Sequence, residues 1–116
     1  MAKKVMVVDD SPLSRVMIAK AVGLEGDFDI LEVAGGADAI RIQSESPADL
    51  IFLDLTMPEV SGYDVLAAMD GANVPIVVVT ADRQKRTAER IMELGARAVM
   101  PKPPTRAMIR EALKGL

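Results

Sequence analysis

The run Val5-Met6-Val7-Val8-Asp9-Asp10 decides the fold of this chain, because an unbroken apolar segment ends abruptly at two acidic residues. A short apolar run bounded by polar residues is typical of a strand that is buried on both faces of a parallel sheet. Two further runs have the same character, namely Leu50-Ile51-Phe52-Leu53 and Ile76-Val77-Val78-Val79. Together the three runs predict the central strands of an α/β domain.

Weaker patterns predict the rest of the domain. Residues 28–33 mix apolar with acidic side chains and residues 98–100 form a very short run, so both suit edge strands. Apolar residues at helical spacing predict five helices, with apolar faces at Leu13, Val16, Met17 and Ala21; within residues 35–46; at Val65, Leu66 and Met69; at Ala88, Ile91 and Met92; and at Ile109, Ala112, Leu113 and Leu116. A strand followed by a helix, repeated five times, predicts a doubly wound parallel sheet with helices on both faces.

The composition excludes several classes of function. The chain has 116 residues, half of them apolar, which fits one domain with a packed core. It has no Cys and no His, which excludes disulfides, thiol nucleophiles, histidine bases and histidine metal ligands. The formal net charge of −3 disfavours direct nucleic-acid binding, and the apolar runs are too short to cross a membrane. We therefore expect a cytoplasmic protein.

Polar residues follow four of the predicted strands at the same end. Asp9 and Asp10 follow the first strand, Asp54 the third, Thr80 the fourth, and Lys102 the fifth after one proline. Ligands of open parallel sheets bind beyond the carboxyl ends of the strands, where the strand order reverses. Carboxylates brought to that edge repel each other by about 1–4 kcal/mol per pair at ~4 Å, and a hard divalent cation removes this cost. The pattern therefore predicts a magnesium site.

Each of these residues also has an ordinary structural interpretation. Asp10 and Thr80 could each be the N-cap of the following helix. Asp54 could be a loop residue beside a turn, and a lone lysine such as Lys102 is more often a solvated charge. The combination favours a shared site because every one of these residues comes just after a predicted strand.

Four motifs carry a family resemblance. They are VVDDSP (Val7 to Pro12), LDLTMPEVSG (Leu53 to Gly62), VVVTAD (Val77 to Asp82) and PKPP (Pro101 to Pro104). In combination they resemble the receiver domain of response regulators, such as the stand-alone chemotaxis regulators. The resemblance implies a flavodoxin-like α/β fold with strand order 2-1-3-4-5. It also implies a single receiver domain over residues 1–116, with no output domain.

The resemblance assigns roles to the acidic residues. Asp54 would be the phosphoacceptor, whose carboxylate attacks a phosphohistidine on a histidine kinase or a histidine phosphotransfer protein. Asp10 would bind Mg²⁺ directly and Asp9 would hold a metal-bound water. Asp54 itself and the backbone carbonyl of Thr56 would complete the protein ligands of the ion. The phosphorylated domain would then act on a downstream effector protein.

Two further residues would contact the phosphoryl group. Lys102 would pair with Asp54 and later with a phosphoryl oxygen, while Thr80 would donate its hydroxyl. The resemblance also implies a cis peptide bond between Lys102 and Pro103. These roles agree with phosphoryl transfer, which depends on positioning and on neutralised charge more than on acid–base catalysis.

The chain departs from the family at the switch position. In the family, the residue matching Thr80 moves toward the phosphoryl group, and an aromatic side chain on the fifth strand fills the vacated space. Here that aromatic position is Val99, which has no polar tip and few rotamers. Either loop motion alone carries the signal, or the output face of helix 4, strand 5 and helix 5 is recognised differently. Thr56 and Asp82, two residues after Asp54 and Thr80, are expected to tune the lifetime of the phosphorylated state.

We expect a phosphoacceptor that can dephosphorylate itself, a monomer or a weak phosphorylation-dependent dimer, and not a turnover enzyme. Two alternatives remain open. A haloacid-dehalogenase-like phosphatase also uses an aspartyl phosphate, but it needs a second Asp two residues after the first, and Asp54-Leu55-Thr56 lacks it. A receiver-like interaction module without phosphorylation usually lacks an acidic residue or the lysine, and this chain has them all.

Overall fold

The computed structural model describes residues 2–70 and 73–116 of the chain. Five strands alternate with five helices, as the sequence predicts. Their bounds are β1 (Lys4–Val8), α1 (Pro12–Gly23), β2 (Asp29–Val33), α2 (Gly36–Glu45), β3 (Leu50–Asp54), α3 (Gly62–Ala68), β4 (Ile76–Thr80), α4 (Lys85–Glu93), β5 (Ala98–Pro101) and α5 (Arg106–Leu113). All strand pairs are parallel, in the order β2-β1-β3-β4-β5. The predicted flavodoxin-like fold is confirmed, with β2 and β5 at the edges.

Side chains of the central strands alternate between two cores. Met6 and Leu53 point toward α2, α3 and α4, whereas Val7 and Phe52 point toward α1 and α5. This alternation follows from the pleat of a strand, and every residue of β3 and β4 is buried as a result. Within the described ranges, no helix has the length and apolar character needed to span a bilayer.

The predicted apolar face of α1 is wrong, although the helix itself is confirmed. The buried residues of α1 are Ile18, Ala19 and Val22. Leu13, Val16 and Met17 are instead 72%, 50% and 52% exposed. The helix carries apolar residues on more than one side, so spacing alone could not decide which side faces the sheet. The same limit applies to Met92 of α4, which is 47% exposed while Ile91 is buried.

The starts of two helices decide between the alternative roles of Asp10 and Thr80. Ser11 is the N-cap of α1, and its Oγ accepts a hydrogen bond from the backbone N–H of Ser14. The N-cap of α4 is Gln84. Neither Asp10 nor Thr80 is therefore an N-cap, and both remain available to a site at the edge of the sheet.

Candidate functional site

The register of the sheet brings the acidic residues together. Val8 of β1 pairs with Leu53 of β3, so Asp9, which follows Val8, lies beside Asp54 at the end of β3. Asp9 and Asp54 are buried, at 1% and 5% exposure, whereas Asp10 is exposed. One carboxylate oxygen from each of the three acids lies within 4.8 Å of the others. The predicted convergence of these acids on one edge is confirmed.

Lys102 reaches the same cluster from the end of β5. Its Nζ lies 3.0 Å from Oδ2 of Asp9 and 3.4 Å from Oδ2 of Asp54. The lysine side chain is only 21% exposed and contacts two buried acids, so it is not a solvated charge. The peptide bond between Lys102 and Pro103 is cis, which confirms what the resemblance implied.

The charges of the site are unbalanced. Burial and the neighbouring Asp9 carboxylate raise the pKa of Asp54 to about 6, against the opposing effects of Lys102 and the backbone N–H of Thr56. Burial alone would lower the pKa of Lys102, but the nearby carboxylates of Asp9 and Asp54 outweigh it, so this pKa is raised. The Asp54 shift therefore reflects burial first and the neighbouring Asp9 second, whereas the Lys102 shift reflects the two acids beside it.

The Asp9 carboxylate shows that the residues present fit a magnesium ion. Its Oδ1 accepts a hydrogen bond of 2.9 Å from the backbone N–H of Ser11. Its buried Oδ2 has no hydrogen-bond partner among the described residues, since the approach of Lys102 Nζ gives an ionic contact without hydrogen-bonding geometry. This oxygen has an ionic partner but no hydrogen bond from the described residues, so it can still accept a further ligand. Clustered hard oxygen donors beside an exposed Asp10 are the ligands that Mg²⁺ prefers.

Two residues that support the site were missed in the sequence. The backbone N–H of Gly62 donates to the carbonyl of Leu55, and a Cβ at position 62 would lie 2.6 Å from the carbonyl oxygen of Asp54. Only glycine fits this close approach, and its place in the LDLTMPEVSG motif was the available signal. Arg15 of α1 donates from Nη1 to the carbonyl of Asp9 at 2.8 Å, a contact that spacing alone did not indicate.

Thr80 ends β4, is buried, and is joined to the loop before α4. Its Oγ1 accepts a hydrogen bond of 3.1 Å from the backbone N–H of Asp82. The Asp82 carboxylate accepts from the backbone N–H of Gln84 at 2.9 Å and from the hydroxyl of Thr87 at 2.8 Å. These two hydrogen bonds hold the pKa of Asp82 below its usual range, and the bond from Gln84 has the larger effect. Asp82 therefore contacts α4 directly.

Val99, at the position where the resemblance implies an aromatic side chain, lies beside a cleft. Val99 is partly buried on β5. With Thr80, Asp82 and Ala88 it lines a cleft of about 270 Å³ between β5 and the start of α4. Thr56, the other expected lifetime residue, is exposed.

Known proteins with similar sequences contain receiver domains of response regulators. The family model of the response regulator receiver domain matches residues 5–114. The chain is 31% identical over 107 residues to the polar-differentiation response regulator DivK of Brucella ovis, covering 89% of this chain and 86% of DivK. It is 34% identical over 110 residues to protein-glutamate methylesterase/protein-glutamine glutaminase 2 of Anaeromyxobacter dehalogenans, covering 93% of this chain and 32% of that protein. The chain thus spans about a third of the methylesterase.

Solved structures of receiver domains have the same fold as this chain. The signal receiver domain of a LuxO repressor protein from Vibrio parahaemolyticus superposes with a TM-score of 0.88 at 27% identity, covering 96% of this chain and 86% of that one. The CheY of the CheX–CheY–BeF3–Mg²⁺ complex from Borrelia burgdorferi gives 0.87 at 25% identity, covering 95% and 85%.

Proposed function

The chain belongs to the response regulator receiver family of two-component signalling, and on this basis we propose that it accepts a phosphoryl group on Asp54. The donor would be a histidine kinase or a histidine phosphotransfer protein, and the phosphorylated domain would change its contacts with an effector protein. Members of the family are phosphoacceptors and not turnover enzymes. The match over residues 5–114 supports this proposal over the haloacid-dehalogenase-like phosphatase alternative.

One observation carries the proposal: the buried Asp54 carboxylate lies within 3.4 Å of Lys102 Nζ and beside the buried Asp9. In the transfer step, a carboxylate oxygen of Asp54 forms a bond to phosphorus while the N–P bond of the donor breaks. The electron pair of that bond stays on the donor's imidazole nitrogen. Lys102 would exchange its ionic contact with the Asp54 carboxylate for one with a phosphoryl oxygen. Thr80 would donate a hydrogen bond from its hydroxyl to a second phosphoryl oxygen.

Asp9, Asp10, Asp54 and the carbonyl of Thr56 would hold Mg²⁺, which when bound neutralises charge on the carboxylates and on the phosphoryl oxygens. Burial of Asp9 and Asp54 excludes water from one side of the site, while exposed Asp10 leaves the other side open to the donor. Self-dephosphorylation would use a water that attacks phosphorus, releases inorganic phosphate and restores the Asp54 carboxylate. Thr56 and Asp82 would flank the path of that water.

The surface beside the site supports a protein donor. The exposed side chains of Leu13 and Met17 lie on α1, which begins directly after the Asp9-Asp10 pair. An apolar cavity of about 300 Å³ between α1 and α5 continues this surface and is lined by Met17, Leu24 and Pro103, among others. An apolar surface next to a reactive group favours contact with another protein. We propose that the phosphodonor covers it.

The effector-binding surface, the cellular location and the oligomeric state are also part of the proposed function. We propose that the face of α4, β5 and α5 contacts the effector, and that the protein acts in the cytoplasm as a monomer or as a weak phosphorylation-dependent dimer. A stand-alone receiver without an output domain stays a prediction.

Intact-mass measurement after incubation with acetyl phosphate and Mg²⁺ tests the proposed function. The expected result is a gain of one phosphoryl group, lost in Asp54→Asn and lost when Mg²⁺ is chelated. Asp27→Asn is the matched control, because Asp27 is an exposed acid away from the site and its loss should leave labelling unchanged. Absence of labelling with acetyl phosphate and with phosphoramidate would instead favour an interaction module that is not phosphorylated.

A further inference from the structure

Hydrogen bonds link Thr80 to the start of α4 without a break. The backbone N–H of Asp82 donates to Thr80 Oγ1, and the Asp82 carboxylate accepts from both the Gln84 N–H and the Thr87 hydroxyl. Thr87 is the third residue of α4, so the chain of contacts runs from the buried edge of the sheet into the first turn of the helix. Its members all lie within residues 80–87, and none of them is an aromatic residue on β5.

The start of α4 depends on Asp82 because the helix has a poor cap of its own. Gln84, the N-cap residue, makes no side-chain hydrogen bond to the helix, and the first turn Lys85-Arg86-Thr87 contains no acidic residue. Free N–H groups at a helix start need acceptors, and a negative charge is favourable there. Asp82 supplies both features from outside the helix.

We propose that Asp82 and Thr87 are positioning residues that couple Thr80 to the first turn of α4. This proposal rests on the proposed function, in which the Thr80 hydroxyl contacts the phosphoryl group on Asp54. Movement of that hydroxyl stretches its hydrogen bond to the Asp82 N–H, so the loop and the Asp82 carboxylate shift with it. The Gln84 N–H and the Thr87 hydroxyl then lose or change their acceptor.

The cleft beside Val99 makes this movement possible. Its volume of about 270 Å³ is bordered by Thr80, Asp82, Gln84 and Ala88, the segment that would have to move. The small side chain of Val99 lines this cleft, so there is open space beside the loop and the first turn of α4. The signal can therefore reach the α4 surface without an aromatic switch.

Amide hydrogen exchange of the unmodified protein, followed by NMR, tests the coupling directly. Thr80→Val keeps the shape of the side chain but removes the oxygen that Asp82 N–H contacts, so exchange should rise about five-fold at the Gln84 amide and at the Ala88 amide, which donates to the Gln84 carbonyl. Thr80→Ser retains the oxygen and should exchange like the wild type. Thr105→Val is the matched control, since Thr105 caps α5 through Met108 and its loss should affect α5 only.

Unchanged exchange at Gln84 and Ala88 in Thr80→Val would overturn the coupling, whether or not the protein is phosphorylated. A second arm uses beryllofluoride with Mg²⁺ as the phosphoryl mimic. In Thr87→Val, labelling of Asp54 by acetyl phosphate should persist, while the chemical-shift changes of residues 84–88 should fall well below those of the wild type and of Thr87→Ser. If the chemical-shift changes in Thr87→Val were as large as in the wild type, the proposed coupling through Asp82 and Thr87 would be refuted. If acetyl phosphate failed to label the wild-type protein, only the proposed function would be refuted.

Discussion

The Nζ atom of Lys102 lies 3.0 Å from Oδ2 of Asp9, a buried carboxylate oxygen that has no hydrogen bond within the described part of the chain. Its distance to Asp54 is longer, at 3.4 Å. One ammonium group thus serves two buried acids, with the exposed Asp10 close by. This arrangement leaves the buried carboxylates of Asp9 and Asp54 only partly neutralised by Lys102.

Replacement of Lys102 by Met should therefore affect both stability and labelling. The variant keeps a long side chain but leaves the carboxylates of Asp9 and Asp54 without their cation, so without Mg²⁺ we expect a loss of about 1–2 kcal/mol, or a Tm lower by roughly 4–8 °C. Loss of a charge that contacts the phosphoryl group should slow labelling on the order of 100-fold. Thermal unfolding and timed intact-mass measurement give the two values.

Lys114→Met is the control for this substitution, because Lys114 pairs with Glu111 on the exposed surface of α5. It should leave Tm and labelling close to the wild type, since exposed pairs contribute little. Equal behaviour of the two variants would show that Lys102 has no special part in the site.

Asp54→Asn should stabilise the protein in the absence of magnesium. The amide removes a buried negative charge beside Asp9, and a raised pKa shows that this charge is unfavourable in the folded state. We expect a gain of about 1 kcal/mol, seen as a Tm higher by roughly 4 °C at neutral pH. Added Mg²⁺ should raise the Tm of the wild type more than that of the variant, because the ion has lost one ligand. A lower Tm for the variant without Mg²⁺ would contradict this account of the site.

Local patterns in the sequence predicted the strands, the helices and the polar residues that follow the strands, whereas the strand order that brings those residues together was implied by the family resemblance. Unbroken apolar runs mark buried parallel strands, and the residues that follow them must meet at one edge once the strands are in register. Asp9, Asp54, Thr80 and Lys102 could all be predicted in this way. The position of the polar side chains follows from topology, so no detail of packing was needed.

Features that depend on packing between elements could not be predicted. The exposed face of α1 depends on which of its apolar sides meets the sheet, and the spacing of Leu13, Val16 and Met17 does not contain that information. The contact of Gly62 with the Asp54 carbonyl depends on the path of an irregular loop. The contact between Asp82 and Thr87 could not be predicted either, since it appears only once α4 has a defined start.

Thr56→Ala and Asp82→Ala should each change the rate of dephosphorylation without preventing labelling. Both residues lie two positions beyond a site residue, where a side chain can alter the approach of water to phosphorus. A barrier change of about 1 kcal/mol corresponds to roughly five-fold in rate. Decay of the labelled mass after removal of acetyl phosphate measures it, and identical decay in all three proteins would end the idea.

Leu13→Glu should separate protein donors from small-molecule donors. Leu13 is 72% exposed, so a charge there leaves the fold intact but opposes contact with an apolar donor surface. Labelling by acetyl phosphate should be unchanged, whereas transfer should slow on the order of ten-fold for each phosphorylated histidine kinase that labels the wild type. Leu24→Glu, at the far end of α1, tests how far the contact extends. Equal transfer to Leu13→Glu and wild type would place the donor elsewhere.

Glu25 should make stability depend on pH through a contact far from the site. It follows α1 and pairs with two arginines of α5, at 2.7 Å from Arg110 and 3.3 Å from Arg106. The hydrogen bond from Arg110, supported by Arg106, lowers the pKa of Glu25 below 4.5. A carboxyl group whose pKa is lower in the folded state stabilises the protein above its unfolded pKa, and this contribution disappears as the pH falls through the folded value.

Glu25→Gln should therefore have a lower Tm than the wild type at neutral pH, and the difference should shrink as the pH falls below about 4.5. The difference should also shrink in 1 M salt, because Arg106 and Arg110 are exposed and the Debye length falls to about 3 Å at that ionic strength. Glu89→Gln is the matched control, because Glu89 has only a loose contact of 3.9 Å with the exposed Lys85 and its loss should leave Tm unchanged at every pH. A difference between Glu25→Gln and wild type that stayed constant from neutral pH to pH 3 would show that the contact acts through packing and not through charge.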